Sequence, residues 1–179
     1  YDLMVVNKPA DKLMHKNSPT DRTVTMEDDL INYLAPRKQK PYLVHRLDQR
    51  TSGCLLVAKN MACKEKLRTA FEGREVDKIY HAGARINPKL GRIGIFNDRL
   101  PGRSGEAVPA ITHYRQVGQT ADWNVYEIKP ETGRKNQIRL HFVNHGAPLA
   151  GDDRFGDFAW NKTLRQKYGL KRMLLHASQ

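Results

Sequence analysis

The chain has 179 residues, of which 31 are Lys or Arg and 19 are Asp or Glu, for a formal charge of +12. Its apolar share is 39% and no long apolar run interrupts it, which excludes a membrane span and a signal peptide and leaves a soluble chain of one domain. The two cysteines, Cys54 and Cys63, form neither a disulfide framework nor a zinc spacing, which points to a reducing cytoplasm. The positive excess is spread along the chain, as expected of a folded basic surface that meets a polyanion.

In chain order, Leu3-Met4-Val5-Val6 reads as a strand that Asn7-Lys8-Pro9 ends, because proline cannot donate to a sheet ladder. Residues 16–28 read as a polar loop. Thr25 then caps a helix from Met26 to Leu34, with acids in its first turn and Leu30, Tyr33 and Leu34 on one face. Pro36 stops that helix, and the basic run Arg37-Lys38-Gln39-Lys40 reads as a solvated loop or a phosphate contact. Two apolar flanks, Tyr42-Leu43-Val44 and Cys54 to Ala58, read as short buried strands around the loop His45-Arg46-Leu47-Asp48-Gln49-Arg50-Thr51-Ser52-Gly53. A carboxylate fixed at a strand-to-loop junction among cations stays ionised and well aimed, as a nucleophile or a base requires.

Asn60 caps a helix over 61–75, and Asp77 to Ala82 has a strand pattern that carries Tyr80. Residues 87–107, with Asn87-Pro88, Gly91, Gly94, Pro101-Gly102 and Gly105, read as an irregular basic insertion around Arg99 and Arg103. Two paired strands follow, 110–117 and 123–128. Ile138, His141, Phe142 and His145 keep helical spacing after Thr132-Gly133-Arg134, and Gly146 stands where a left-handed cap is expected. The tight loop Pro148 to Gly156, a helix from Trp160 to Tyr168 and a strand over 170–177 complete the chain. It opens on Tyr1 in a strand pattern and stops at Gln179, which reads as two trimmed ends.

Four of these stretches, taken together, resemble the RluA family of RNA pseudouridine synthases. They are Asn7-Lys8-Pro9 with His15, the loop from His45 to Gly53, Lys78-Ile79-Tyr80, and Thr132-Gly133-Arg134 with Gln137-Ile138-Arg139 and His141. The chain departs from the family at Asp11, where glycine is usual, and at Asn136, often histidine. The resemblance implies an α+β fold, with a mixed and mostly antiparallel sheet, flanking helices and a central RNA-binding cleft. It implies that residues 1–179 are the catalytic domain; a small S4-like RNA-binding domain often precedes it in relatives.

The same resemblance puts the catalytic aspartate at Asp48, the active-site tyrosine at Tyr80 and the salt-bridge partner of the aspartate at Arg139. It sets Arg46, His45, Arg134 and Ile138 against the RNA. Lys8 and Pro9 shape the cleft wall, and His141 is a packed histidine. The implied reaction turns uridine into pseudouridine. It is redox-neutral and calls for neither metal nor cofactor. The expected partner of this monomer is RNA, with no membrane: large-subunit ribosomal RNA if the run from Asp152 to Asp157 marks the RluC-like branch, otherwise transfer RNA. A basic RNA-binding or ribosome-assembly protein is the reading without catalysis.

Overall fold

The structure is a computed structural model that describes every residue of the chain except Asn17, Pro19 and Arg103. It divides into two compact units, Tyr1–Asp77 and Lys78–Gln179.

In the first unit, β1 (Leu3–Lys8), β2 (Tyr42–Leu43) and β3 (Ser52–Ala58) form antiparallel pairs, with β1 on one edge of β3 and β2 on the other. Helix α1 (Met26–Leu34) starts where the sequence predicts. Thr25 Oγ1 accepts from the Asp28 amide while the Asp28 carboxylate accepts from the Thr25 amide, a reciprocal cap. Met26 and Leu30 of α1 pack with Met14, Leu55 and Val57, closing a small core on which Met4, Val6 and Leu43 rest. Pro36 does not end the helical path, because a proline is tolerated in the first turn of a helix. One 3₁₀ turn (Ala35–Arg37) continues through it and breaks at Lys38, whose φ is +55°. Helix α2 (Met61–Glu72) is capped by Asn60 and ends three residues before the predicted limit, at Gly73 and the left-handed Arg74.

The second unit is an antiparallel meander. Strands β4 (Tyr80–Arg85), β5 (Ile93–Pro101), β6 (Ala107–Gln119), β7 (Trp123–Pro130) and β8 (Leu175–Ala177) lie in the order β8-β4-β7-β6-β5. Helices α3 (Gln137–Asn144) and α4 (Phe158–Tyr168) accompany it. An aromatic core of Phe96, Tyr114, Tyr126 and Phe142 joins α3 to β5, β6 and β7. Mostly antiparallel strands with few helices confirm the α+β class.

The irregular insertion expected over 87–107 is corrected here. Its centre is the nine-residue strand β5, paired with β6 from Ile93↔Arg115 to Pro101↔Ala107. The turn residues bound the strand rather than fill it. Its alternation is hidden because apolar side chains fall on both faces: Phe96 and Leu100 are buried, whereas Ile93 and Ile95 are exposed. Arg99 lies on that strand, and Arg103 is outside the described residues. The strand expected over 170–177 shortens to Leu175–Ala177. Upstream of it, Leu174 bonds through its backbone to Ala150 and Gly83 instead of extending the ladder as strand. No helix among the described residues is long and apolar enough to cross a membrane.

Candidate active site

In the first unit, the loop that carries Asp48 is held from three sides. Lys8 is fully buried at the end of β1, and its ammonium donates to the carbonyls of Pro9, Lys12 and Gln49 at 2.9, 3.0 and 3.0 Å. It thereby ties the residue after Asp48 to the turn after β1. Asp11 closes the same turn. Its carboxylate pairs with Arg50 at 2.9 Å and its carbonyl accepts from the Gln49 amide at 3.3 Å. Asp11 has φ +68°, so the chain keeps the left-handed conformation for which glycine is usual, and aspartate is among the residues that bear it best.

On the third side, His45 Nε2 accepts from the Leu56 amide at 2.8 Å and the imidazole stacks on Phe71 at 4.9 Å. Accepting that bond fixes the tautomer with the proton on Nδ1. His45 is thus bonded to β3 and stacked on α2. Leu47 is buried beneath the loop, and the Thr51 amide closes a turn on the Asp48 carbonyl at 3.0 Å. Gly53, with φ +116°, lets β3 begin directly after that turn. Asp48 is half-buried, and Arg46 projects into solvent with no carboxylate partner among the described residues.

Burial pushes the Lys8 ammonium down from 10.5 to about 8, against the attraction of Asp11 and Asp48. Between those two values the unfolded chain binds the extra proton, so stability contributed at Lys8 rises with pH across that window and is flat below it. The unfolding free energy of the native protein, measured in urea, is therefore expected to gain on that of Lys8→Met from pH 8 to 10 and to run parallel below pH 8. Parallel curves throughout would mean that Lys8 keeps an ordinary ammonium. At pH 7 the variant is expected to be the less stable by about 2 kcal/mol, because three buried carbonyls lose their donor.

In the second unit, Tyr80 opens β4 and packs on the core cluster that also contains Ile138, in the first turn of α3. Ile138 is 7% exposed. Arg139 is buried, and its Nε and Nη2 donate to the two carboxylate oxygens of Asp152 at 2.7 and 2.8 Å. Its Nη1 donates to Asn136 Oδ1 at 2.9 Å, and the Phe155 ring lies 4.7 Å from the guanidinium. The fork is therefore held in one plane, the geometry that suits arginine and not lysine.

Asp152 is the residue that sequence reasoning missed. Besides Arg139 it receives the amides of Arg154 and Phe155 on Oδ1, both at 3.0 Å. Burial raises its carboxyl, but the Arg139 bonds and these two amides outweigh that and hold it below the usual 3.8. The turn before it needs glycine. Gly151 has φ +75°, and a Cβ there would stand 2.2 Å from the Arg172 carbonyl oxygen.

Gln137 fixes the start of α3. Its Oε1 accepts from Thr132 Oγ1 and the Arg134 amide, and its Nε2 donates to the Ile111 carbonyl and Thr112 Oγ1. Arg134 is exposed and donates through Nε to the Pro109 carbonyl at 3.1 Å. His141 is fully buried with Nδ1 on Thr112 Oγ1 at 2.8 Å, which makes it the packed histidine expected.

These features define a class: an α+β scaffold on whose framework one half-buried aspartate sits in a pinned loop, with a tyrosine and a buried, forked arginine on a second antiparallel unit. The fold is that of pseudouridylate synthases. The solved structure of human RNA pseudouridylate synthase domain containing 1 superposes with a TM-score of 0.77 at 24% identity, over 98% of this chain and 73% of that one. The chain belongs to the RNA pseudouridylate synthase family, which residues 2–144 match.

Among relatives, it is 32% identical over 204 residues to tRNA pseudouridine synthase C of Pectobacterium carotovorum, covering 99% of this chain and 52% of that protein. It is 34% identical over 165 residues to ribosomal large subunit pseudouridine synthase D of Haemophilus ducreyi, covering 87% of this chain and 50% of that protein. The chain thus spans about half the length of these two curated relatives.

Proposed function

We propose that this chain isomerises uridine to pseudouridine in RNA, acting as a monomer in the cytoplasm, with Asp48 as the residue that starts the reaction. The observation that carries this reading is the pinning of the Asp48 loop by Lys8, Asp11 and His45, in a chain of this family. The reaction breaks the N1–C1′ bond of uridine, turns the base and joins C5 to C1′. C5 gives up a proton and N1 ends with one, so no outside group is consumed.

The target uracil is stacked in RNA and must leave the stack, at a cost of a few kcal/mol. Arg46, exposed beside Asp48, fills the space it leaves, since a planar cation both stacks and meets phosphate. Asp48 then attacks C1′, attacks C6 of the ring, or removes the C2′ proton. Tyr80 stacks on the base and takes the C5 proton at the end, directly or through water. Arg139 keeps the aspartate charged and Ile138 lies under the uracil. Arg134 and His45 complete the RNA contact in this reading, His45 through the loop it anchors.

Transfer RNA is the substrate to test first, a reading supported by the relatives named tRNA pseudouridine synthase C. Large-subunit ribosomal RNA is the second reading, supported by the relative named for that subunit. The run Asp152 to Asp157 does not separate the two, because its carboxylates do scaffold work. Asp152 holds Arg139, and Asp157 caps α4 and pairs with Arg85.

The experiment incubates the protein with unmodified tRNA transcripts and with transcribed large-subunit RNA. Pseudouridine is then mapped by chemical labelling and reverse-transcriptase stops. New stops confined to tRNA are expected; stops confined to the ribosomal transcript would reverse the order of substrates. Binding to both RNAs with no new stop on either would favour an RNA-binding protein without catalysis.

A further inference from the structure

The basic run Arg37-Lys38-Gln39-Lys40 has no part in the site described above, and the structure gives it a setting of its own. The C-terminal end of α1, the 3₁₀ turn after it and the approach to β2 enclose an open recess of about 430 Å³, lined by Ile31, Ala35, Lys38, Gln39, Lys40 and Pro41. Its walls are largely apolar, and Ile31 is 47% exposed within them. No acid lines it. The three carboxylates of the first turn of α1 lie at the other end of that helix, where Glu27, Asp28 and Asp29 face His15, Lys16 and Lys12.

Arg37 is occupied locally: its guanidinium donates to the Tyr33 carbonyl at 3.0 Å and lies 4.7 Å over the Tyr33 ring. Lys38 and Lys40 are different. Both are exposed, and neither ammonium makes a hydrogen bond or ion pair with a described residue. Lysines near a helix C-terminus commonly serve its last carbonyls; these two do not. Gln39, between them, has its Oε1 buried without a partner, an arrangement that costs free energy and that an N–H donor would relieve.

We propose that this recess is an accessory nucleotide site: it takes one unpaired base of the substrate RNA against Ile31, Ala35 and Pro41, with Lys38 and Lys40 on the flanking phosphates. The inference rests on the synthase reading for its ligand class. Three features support it. Apolar walls suit the face of any base, two unpaired lysines suit the phosphates on either side of it, and the Gln39 amide suits a base edge. The recess also leads into the reaction loop. Eight residues separate Lys40 from Asp48, a span of at most about 28 Å at full extension. A nucleotide held there lies within a few steps of the target uridine. The site would therefore measure distance along the RNA as well as add affinity.

The test uses the whole chain and unmodified tRNA transcripts in which 4-thiouridine replaces uridine. Irradiation is expected to attach RNA to the peptide 31–41, located by mass spectrometry. The paired variant Lys38→Ala with Lys40→Ala should bind the unsubstituted transcripts about tenfold more weakly at 0.1 M salt, and its log Kd against log salt should fall by roughly 1.4 in slope, two single-strand phosphate contacts. Its far-ultraviolet circular dichroism should match the native protein, and its kcat at saturating RNA should be unchanged. Cross-links that leave out residues 31–41 would overturn the proposal even if affinity falls, reducing the lysines to a general field. Unchanged affinity and slope would overturn it outright. Neither readout needs turnover, so a native protein that binds RNA but makes no pseudouridine would defeat the synthase reading and still leave this site decided.

Discussion

Asp48→Asn is expected to abolish pseudouridine formation, by about 10⁴-fold or more in kcat, the scale on which enzymes lose turnover when the attacking group is removed. The substitution keeps the size and one acceptor oxygen but takes away the charge, and with it the nucleophile or base. It should leave the loop in place, because the loop is held by other atoms. Lys8 reaches the Gln49 carbonyl, Thr51 closes its turn on the Asp48 backbone, and His45 anchors the strand side through Leu56.

The variant also carries a readout independent of turnover. Asp48 is one of the two charges that raise the Lys8 ammonium against burial. Without it, the pH above which Lys8 gains stability should move below about 8. A folded, RNA-binding Asp48→Asn that retains more than about a tenth of native kcat would remove Asp48 from the chemistry. A variant that fails to fold would contradict the pinning described here.

The parts of the molecule legible in the sequence are those that local chemistry dictates. Thr25 and Asn60 announce their helices because a side-chain oxygen before an apolar-periodic run has one obvious use. The β6–β7 hairpin, the start of β3 and the left-handed Gly146 follow from alternation and turn chemistry. β5 was illegible because its apolar side chains fall on both faces between two glycine-rich turns. Lys8 and Asp152 were illegible for a different reason. A buried lysine with three carbonyls and a buried aspartate under an arginine look, in one dimension, like any surface charge. Their roles come from partners 41 and 13 residues away, which no local pattern specifies. The pairs that can be inferred from spacing alone are those within a helical turn or across a short hairpin.

Asp152→Ala is expected to be the most destabilising single change outside the apolar core, at about 3–5 kcal/mol in urea unfolding at pH 7. The substitution leaves the guanidinium of Arg139, 5% exposed, without the carboxylate that takes its Nε and Nη2, and orphans the amides of Arg154 and Phe155. Asp152→Asn should cost less, since its oxygen still serves the two amides. The pH dependence has a definite sign. The folded carboxyl lies below 3.8, so the stability it contributes is complete above that value and is lost as pH falls through the lower folded one. The native protein should therefore lose its advantage over Asp152→Ala only in strong acid.

A paired variant, Arg139→Met with Asp152→Leu, separates scaffold from chemistry. Replacing a buried ion pair by apolar side chains of similar volume is often neutral, so stability should return most of the way while pseudouridine formation does not. If turnover returns with stability, Arg139 is a structural arginine. If Asp152→Ala costs under about 1 kcal/mol, the cost expected of an exposed pair, the ion pair does not hold α3 to the loop that follows it, and the aim of Arg139 must come from Asn136 and Phe155 alone.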